Sequence, residues 1–145
     1  MSAASLELDT LLLHSLPAGW REVPSASGAS VLVGPPFEPM VERATFLAGA
    51  PASALDRLDQ AVAWWGVGNM WLKGRIGTGQ RQGADAAYAT VPAEESARQL
   101  VVLVIISGDA QLTISMLADP EEPMLGAWLN GLLVAAGFDA SFPPC

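Results

Sequence analysis

The sequence predicts one α+β domain over residues 1–145, an antiparallel sheet with helices packed on it, and three observations predict it. Leu100–Ile106 is an unbroken apolar run rich in Val and Ile, which reads as a central strand. Ser107-Gly108-Asp109-Ala110 follows with a two-residue Gly-Asp turn, and Gln111–Met116 then alternates apolar with polar residues. Residues 53–65 and the stretch after Asp119 carry helical periodicity instead, one on each side of the hairpin.

The hairpin sets its own register. With Ser107 opposite Ala110, Ile105 faces Leu112, Leu103 faces Ile114 and Val101 faces Met116, and that wholly apolar face is core. On the reverse face Val102, Val104 and Ile106 lie opposite Ser115, Thr113 and Gln111. This half-apolar surface suits partial cover by a helix, or a partner.

From the N-terminus, Leu6–Leu16 is ambiguous. Leu6 and Leu8 alternate with Glu7 and Asp9 like an edge strand, while Leu11–Leu13 breaks that period. Pro17-Ala18-Gly19-Trp20 is a turn. Ala29–Val33 reads as a strand stopped by Gly34-Pro35-Pro36, and Val41–Leu47 as a second. In the helix at 53–65, Ser53 is the N-cap with Asp56 three residues on, and Leu55, Leu58, Val62 and Trp65 form the apolar stripe before Gly66. Gly83–Val91, small-residue rich around Tyr88, supplies a further strand. In the last helix, Glu121 and Glu122 favour the positive end of the dipole. Its buried face is Leu125, Trp128, Leu129, Leu132, Leu133 and Ala136, and Gly137 stops it.

Composition bounds the function. At 145 residues a chain removes roughly 70% of its unfolded surface from water, enough for a core without metal or disulfides. Apolar residues make up 51% and charged ones 15%, which excludes disorder for the bulk of the chain. Fifteen acids against seven bases give a net charge of −8, a field that repels nucleic acid and anionic lipid. The longest apolar run falls far short of the roughly 20 residues a membrane span needs. The only cysteine, Cys145, is terminal, so no internal disulfide forms and a reducing compartment is the simpler reading. The N-terminus lacks the basic start and apolar core of a signal peptide, which makes a cytoplasmic location the expectation.

Catalytic machinery is thin. His14 is the only histidine, with Ser15 merely adjacent in sequence, and a lone histidine on an apolar stretch reads as structural or surface. One histidine and a terminal cysteine do not make a zinc site of the usual kind, and no metal or cofactor is expected. The pairs Glu94-Glu95 and Glu121-Glu122 read as solvated or capping. The glycines of 74–83 fit neither a Walker loop nor a GxGxxG fingerprint. Lys73, Arg75 and Arg81 nevertheless gather three of the seven bases there, a candidate contact for an anion or an acidic partner, against a flexible hairpin loop. Trp64, Trp65, Met70 and Trp71 form the richest aromatic cluster. Trp65 reads as core, while Trp64 and Trp71 divide between core and a partner contact.

Leu-Pro-Ala-Gly-Trp at 16–20, two strands, a helix, a Gly-containing strand, a long hairpin and a C-terminal helix carrying Trp128 together resemble the PsbP-like α-β-α sandwich group. That group includes DcrB-type and LpqN-type bacterial proteins and the Eag-type chaperones of secretion effectors. The resemblance spans nearly the whole chain in element order and implies a non-catalytic interaction protein of the cytoplasmic chaperone branch. Class I type III secretion chaperones are a second comparison, fitting less well at the front because they open with a helix.

The expected function is thus a non-catalytic cytoplasmic chaperone or adaptor that holds an apolar segment of a partner protein, a secreted effector. Val102, Val104, Ile106, Gln111, Thr113 and Ser115 would form the contact, with Trp64 and Trp71 at its rim. Such a face also favours a homodimer. The alternative is a carrier of a small apolar ligand, which calls for an enclosed cavity.

Overall fold

The computed structural model describes residues 3–25, 28–46, 53–67, 71, 73–92 and 98–142. Leu47, Met70, Glu94, Glu95 and Cys145, singled out above, lie outside these described residues. The elements are α1 (Ala3–Ser15), β1 (Arg21–Pro24), β2 (Ser30–Val33), β3 (Met40–Thr45), α2 (Ala54–Trp64), β4 (Arg75–Arg81), β5 (Ala84–Pro92), β6 (Gln99–Ser107), β7 (Ala110–Ala118) and α3 (Pro123–Ala135). The seven strands form one antiparallel sheet in the order β1-β2-β3-β7-β6-β5-β4. The expected α+β class, an antiparallel sheet with helices packed on it, is what the chain adopts.

The β6–β7 hairpin lies mid-sheet in the expected register: Ile105 pairs with Leu112, Leu103 with Ile114 and Val101 with Met116. Gly108 makes its turn at φ +56°, a conformation that favours glycine. The inner face of this hairpin meets α1 and α3 in a core of Leu8, Leu12, Leu103, Ile114, Trp128 and Leu132 among others. The reverse face meets α2, whose Ala54, Leu58 and Val62 pack on Ala87, Ala89, Val102 and Val104.

Three local expectations are corrected. The ambiguous N-terminal stretch is helix α1, because Leu8 and Leu12, four residues apart, both reach the core, while Leu6 of the apparent alternation points outward. The first described element is therefore a helix and not an edge strand. In α2, Ser53 caps as expected, its side chain accepting from the Asp56 amide at 3.1 Å, but Leu55 is exposed. The buried stripe runs Ala54–Leu58–Val62, so the helix turns its smallest residue to the alanine-rich surface of β5.

The third correction concerns 75–81, which is strand β4 and not a loop. Gly77 pairs with Tyr88, and a Cβ at Gly77 would stand inside the Tyr88 ring. A Cβ at Gly79 would meet the Phe138 and Ala140 side chains less tightly, at 3.2–3.3 Å. Neighbouring residues fill the places where β4 has no side chains, so the strand carries no hydrophobic pattern of its own.

Helix α3 follows its expectation. Glu122 caps it by accepting from the Met124 amide, Pro123 is its first residue, and all six apolar residues expected on its inner face are buried. Gly137 closes it at φ +88°.

Candidate interaction surfaces

The residues expected to receive a partner on the reverse face are not available to one. Val102 and Val104 are fully buried and Ile106 nearly so, all three in the cluster that α2 closes, and Thr113 and Ser115 on β7 are buried as well. Only Gln111 stays half-buried, its Nε2 donating to Thr113 Oγ1 at 2.8 Å. Its Oε1 is buried with no hydrogen-bond partner among the described residues. Of the two occupants considered for this face, the chain's own helix takes it.

The tryptophans separate. Trp71 donates from Nε1 to Asp59 Oδ1 at 3.0 Å and lies against Gly74, where an added Cβ would meet its ring at 2.8 Å. It joins the middle of α2 to the entry of β4 and packs on the second core together with Trp65. Trp64 is 69% exposed and touches Trp65 edge-to-face at 5.5 Å. It remains an open apolar contact.

The three bases do not converge. Arg75 and Arg81 stand at opposite ends of β4, roughly 20 Å apart at strand spacing, with Lys73 beyond Arg75. Arg81 is held in place: it donates to the Ala136 carbonyl, to Glu7 at 2.7 Å and to the Gln82 carbonyl. Lys73 and Arg75 share a small groove with Thr90, Gln99 and Glu121.

Another surface was not foreseen. A groove of about 510 Å³ runs between α1 and α3, lined by Thr10, Leu11 and His14 on one side and Ala127, Gly131 and Ala135 on the other. On the same two helices Leu6, Leu13, Met124 and Val134 are exposed outside the groove lining. Helix α3 carries no charged side chain in its 13 residues, and its one polar side chain, Asn130, is bonded at both ends to the backbone of Phe142. The acids of α1 pair with bases of the sheet, Glu7, itself part of the groove lining, with Arg81 on β4 and Asp9 with Arg43 on β3. A helix that is apolar nearly all round is ordinarily buried on all sides, and the sequence signal was there in the uncharged run from Pro123 to Ala135.

The groove also holds the few groups of catalytic type. Ser15 Oγ donates to the Leu12 carbonyl at 2.7 Å and accepts from Trp128 Nε1 at 3.1 Å, so its hydroxyl is tied to the fold. His14 lies exposed at the rim. Among the described residues no three His, Cys, Asp or Glu side chains stand close enough to hold a metal ion, and no helix is long and apolar enough to cross a membrane.

The electrostatic centre lies elsewhere. Arg43 on β3 donates from Nη2 to Glu22 Oε1 at 2.8 Å, from Nη1 to the other oxygen of Glu22, and from Nε to Asp9. The hydrogen bond from Arg43 holds the Glu22 carboxyl below the usual carboxylate range, and the same pairing raises the guanidinium further. This forked contact ties α1, β1 and β3 together.

Comparison with family models, with curated proteins and with solved structures finds no match.

Proposed function

We propose that this protein is a non-catalytic chaperone or adaptor that seats an apolar helix of a partner protein on the outer face of α1 and α3. One observation carries the reading: α3 is uncharged throughout, yet Met124, Ala127, Gly131, Val134 and Ala135 face outward. Ala127, Gly131 and Ala135 recur at four-residue spacing, and small residues so placed let a second helix backbone approach closely. Leu6 and Leu13 supply apolar side chains from α1. Glu7 is the one acid in the groove lining and it pairs with Arg81, while the −8 net charge of the chain would keep a loaded complex soluble.

The resemblance to the PsbP-like group, through its effector-chaperone members, makes a secreted effector in the cytoplasm the client of choice. A second copy of the chain would compete for the same neutral face. Carriage of a small apolar ligand suits the geometry less well, since the groove is open along its length.

A photo-crosslinking residue placed at Val134 in the native cell tests the reading. The expected product joins this chain to an apolar helix of one partner, mapped by mass spectrometry, and Gly131→Gln, which fills the groove, removes it. Crosslinking that persists in Gly131→Gln, or that maps to no helical segment, would sink the proposal. A product joining two copies of this chain would reassign the face to self-association.

A further inference from the structure

The sheet has two edges, and they differ. The β1 edge is four residues long and ends in Pro24, features that blunt an edge against further pairing. The β4 edge is seven residues long, has no proline, and pairs residue for residue with β5 from Arg75–Thr90 to Arg81–Ala84 without a bulge. In an antiparallel ladder every second residue turns its N–H and C=O away from its neighbour, so β4 presents a full strand's row of backbone groups outward. Arg75, Ile76, Thr78 and Gln80 along it are exposed.

We infer that β4 is a docking edge for an extended, acidic segment of another protein, which adds to the sheet as an eighth strand. Charge complementarity selects this occupant. Arg75 is exposed and Lys73 stands two residues beyond it, a positive end on a chain of net charge −8. A second copy fits less well in the register that pairs the whole strand: a two-fold antiparallel pair centred on Thr78 sets each Arg75 against the other copy's Arg81, whose charge Glu7 offsets only from one side, and like charges directly opposite destabilise a ladder. The charges that block self-pairing therefore favour an acidic partner. On the opposite face of β4 the half-exposed Ile76 offers contact to an apolar residue adjacent to the acid. The inference is independent of the α1–α3 reading, since edge and groove occupy different parts of the molecule.

The test is selection of displayed random seven-residue peptides on the full chain, followed by binding and amide hydrogen exchange with the recovered peptides. Recovered peptides are expected to carry Asp or Glu beside a β-branched residue, and to bind Arg75→Glu at least tenfold more weakly. They should also lose affinity with added salt and slow exchange at amides within 75–81. Arg75→Gln, with an intermediate loss, guards against misfolding of the charge-reversed chain, and Gly131→Gln should bind the peptides unchanged. Recovery of no peptide, of peptides without acids, equal binding to Arg75→Glu, or protection confined to residues outside β4 would each overturn the inference.

Discussion

The amide of Ala54, the first residue of α2, donates to the carboxylate of Asp85 on β5 at 2.9 Å. A side chain of the sheet thus serves a free N–H of the helix packed on it, beside the Ser53 cap, and its negative charge sits at the positive end of the helix dipole. This contact fixes the start of α2 beside β5, at one end of the apolar cluster by which the helix closes the reverse face. Asp85→Ala is expected to lower stability by about 1–2 kcal/mol, since it removes a charge-assisted bond to a partly buried amide. Asp85→Asn, which keeps the acceptor, should lose less than half of that in denaturant titrations.

Gly77→Ala is expected to destabilise by about 1–3 kcal/mol, the usual range for forcing an extra carbon into a filled site. Tyr88 cannot yield freely, because its hydroxyl donates to the Ser141 carbonyl at 2.8 Å and its ring rests near Phe142. Gly79→Ala, whose nearest atoms lie at 3.2–3.3 Å on Phe138 and Ala140, should cost less. Equal loss at the two positions would mean that the Tyr88 ring moves aside.

Leu103→Asp and Val104→Asp should both abolish cooperative thermal unfolding, although they face opposite sides of β6. Each would bury an unpaired charge, the first under α1 and α3 and the second under α2. A soluble, cooperatively folded Val104→Asp chain would show that α2 lifts away from the sheet.

What could be read in advance followed from how each element is specified. The β6–β7 hairpin was legible because strict alternation and a Gly-Asp turn act within 20 residues, and α3 because its stripe is long. β4 was not, since the rings that complete its surface belong to Tyr88 and Phe138, one strand and some 60 residues away in sequence. The N-terminal helix was obscured because its fully buried stripe is only Leu8 and Leu12. The reverse face was seen as half apolar, but a strand's own pattern does not distinguish cover by a helix of the same chain from cover by another protein. That choice rests on Asp85, Ala87 and Ala89 meeting Ala54, a tertiary match between distant segments.

Glu22 gives stability a defined pH dependence. Its carboxyl is held below the ordinary value by Arg43, so on acidification the unfolded chain takes up the proton before the folded one does. The contribution is complete above the unfolded carboxylate value, near about 4.3, and is lost as pH falls toward the folded value. Glu22→Gln should therefore lower stability at pH 7 by about 1 kcal/mol and flatten the decline below pH 5. Urea midpoints across pH 3–7 measure both, and a parallel shift of the whole curve would contradict the assignment.

Gly131 separates stability from binding. It lies inside α3 with ordinary helical φ, and a Cβ built on it meets nothing within 4 Å. Among the described residues nothing requires a glycine there, and glycine in a helix interior costs about 1 kcal/mol relative to alanine. Gly131→Ala should therefore raise stability by up to about 1 kcal/mol, read as a higher denaturant midpoint with an unchanged slope. If a partner helix packs against Ala127, Gly131 and Ala135, the same methyl group holds its backbone away, and crosslinking from Val134 should fall in the stabilised chain. Gly126→Ala is the control, equally open at its Cβ but outside the groove lining. It should gain comparable stability and leave the crosslink intact. A Gly131→Ala chain that is both more stable and fully competent to crosslink would remove the small-residue groove from the site, leaving only the exposed rim of Leu6, Leu13, Met124 and Val134 to hold a partner.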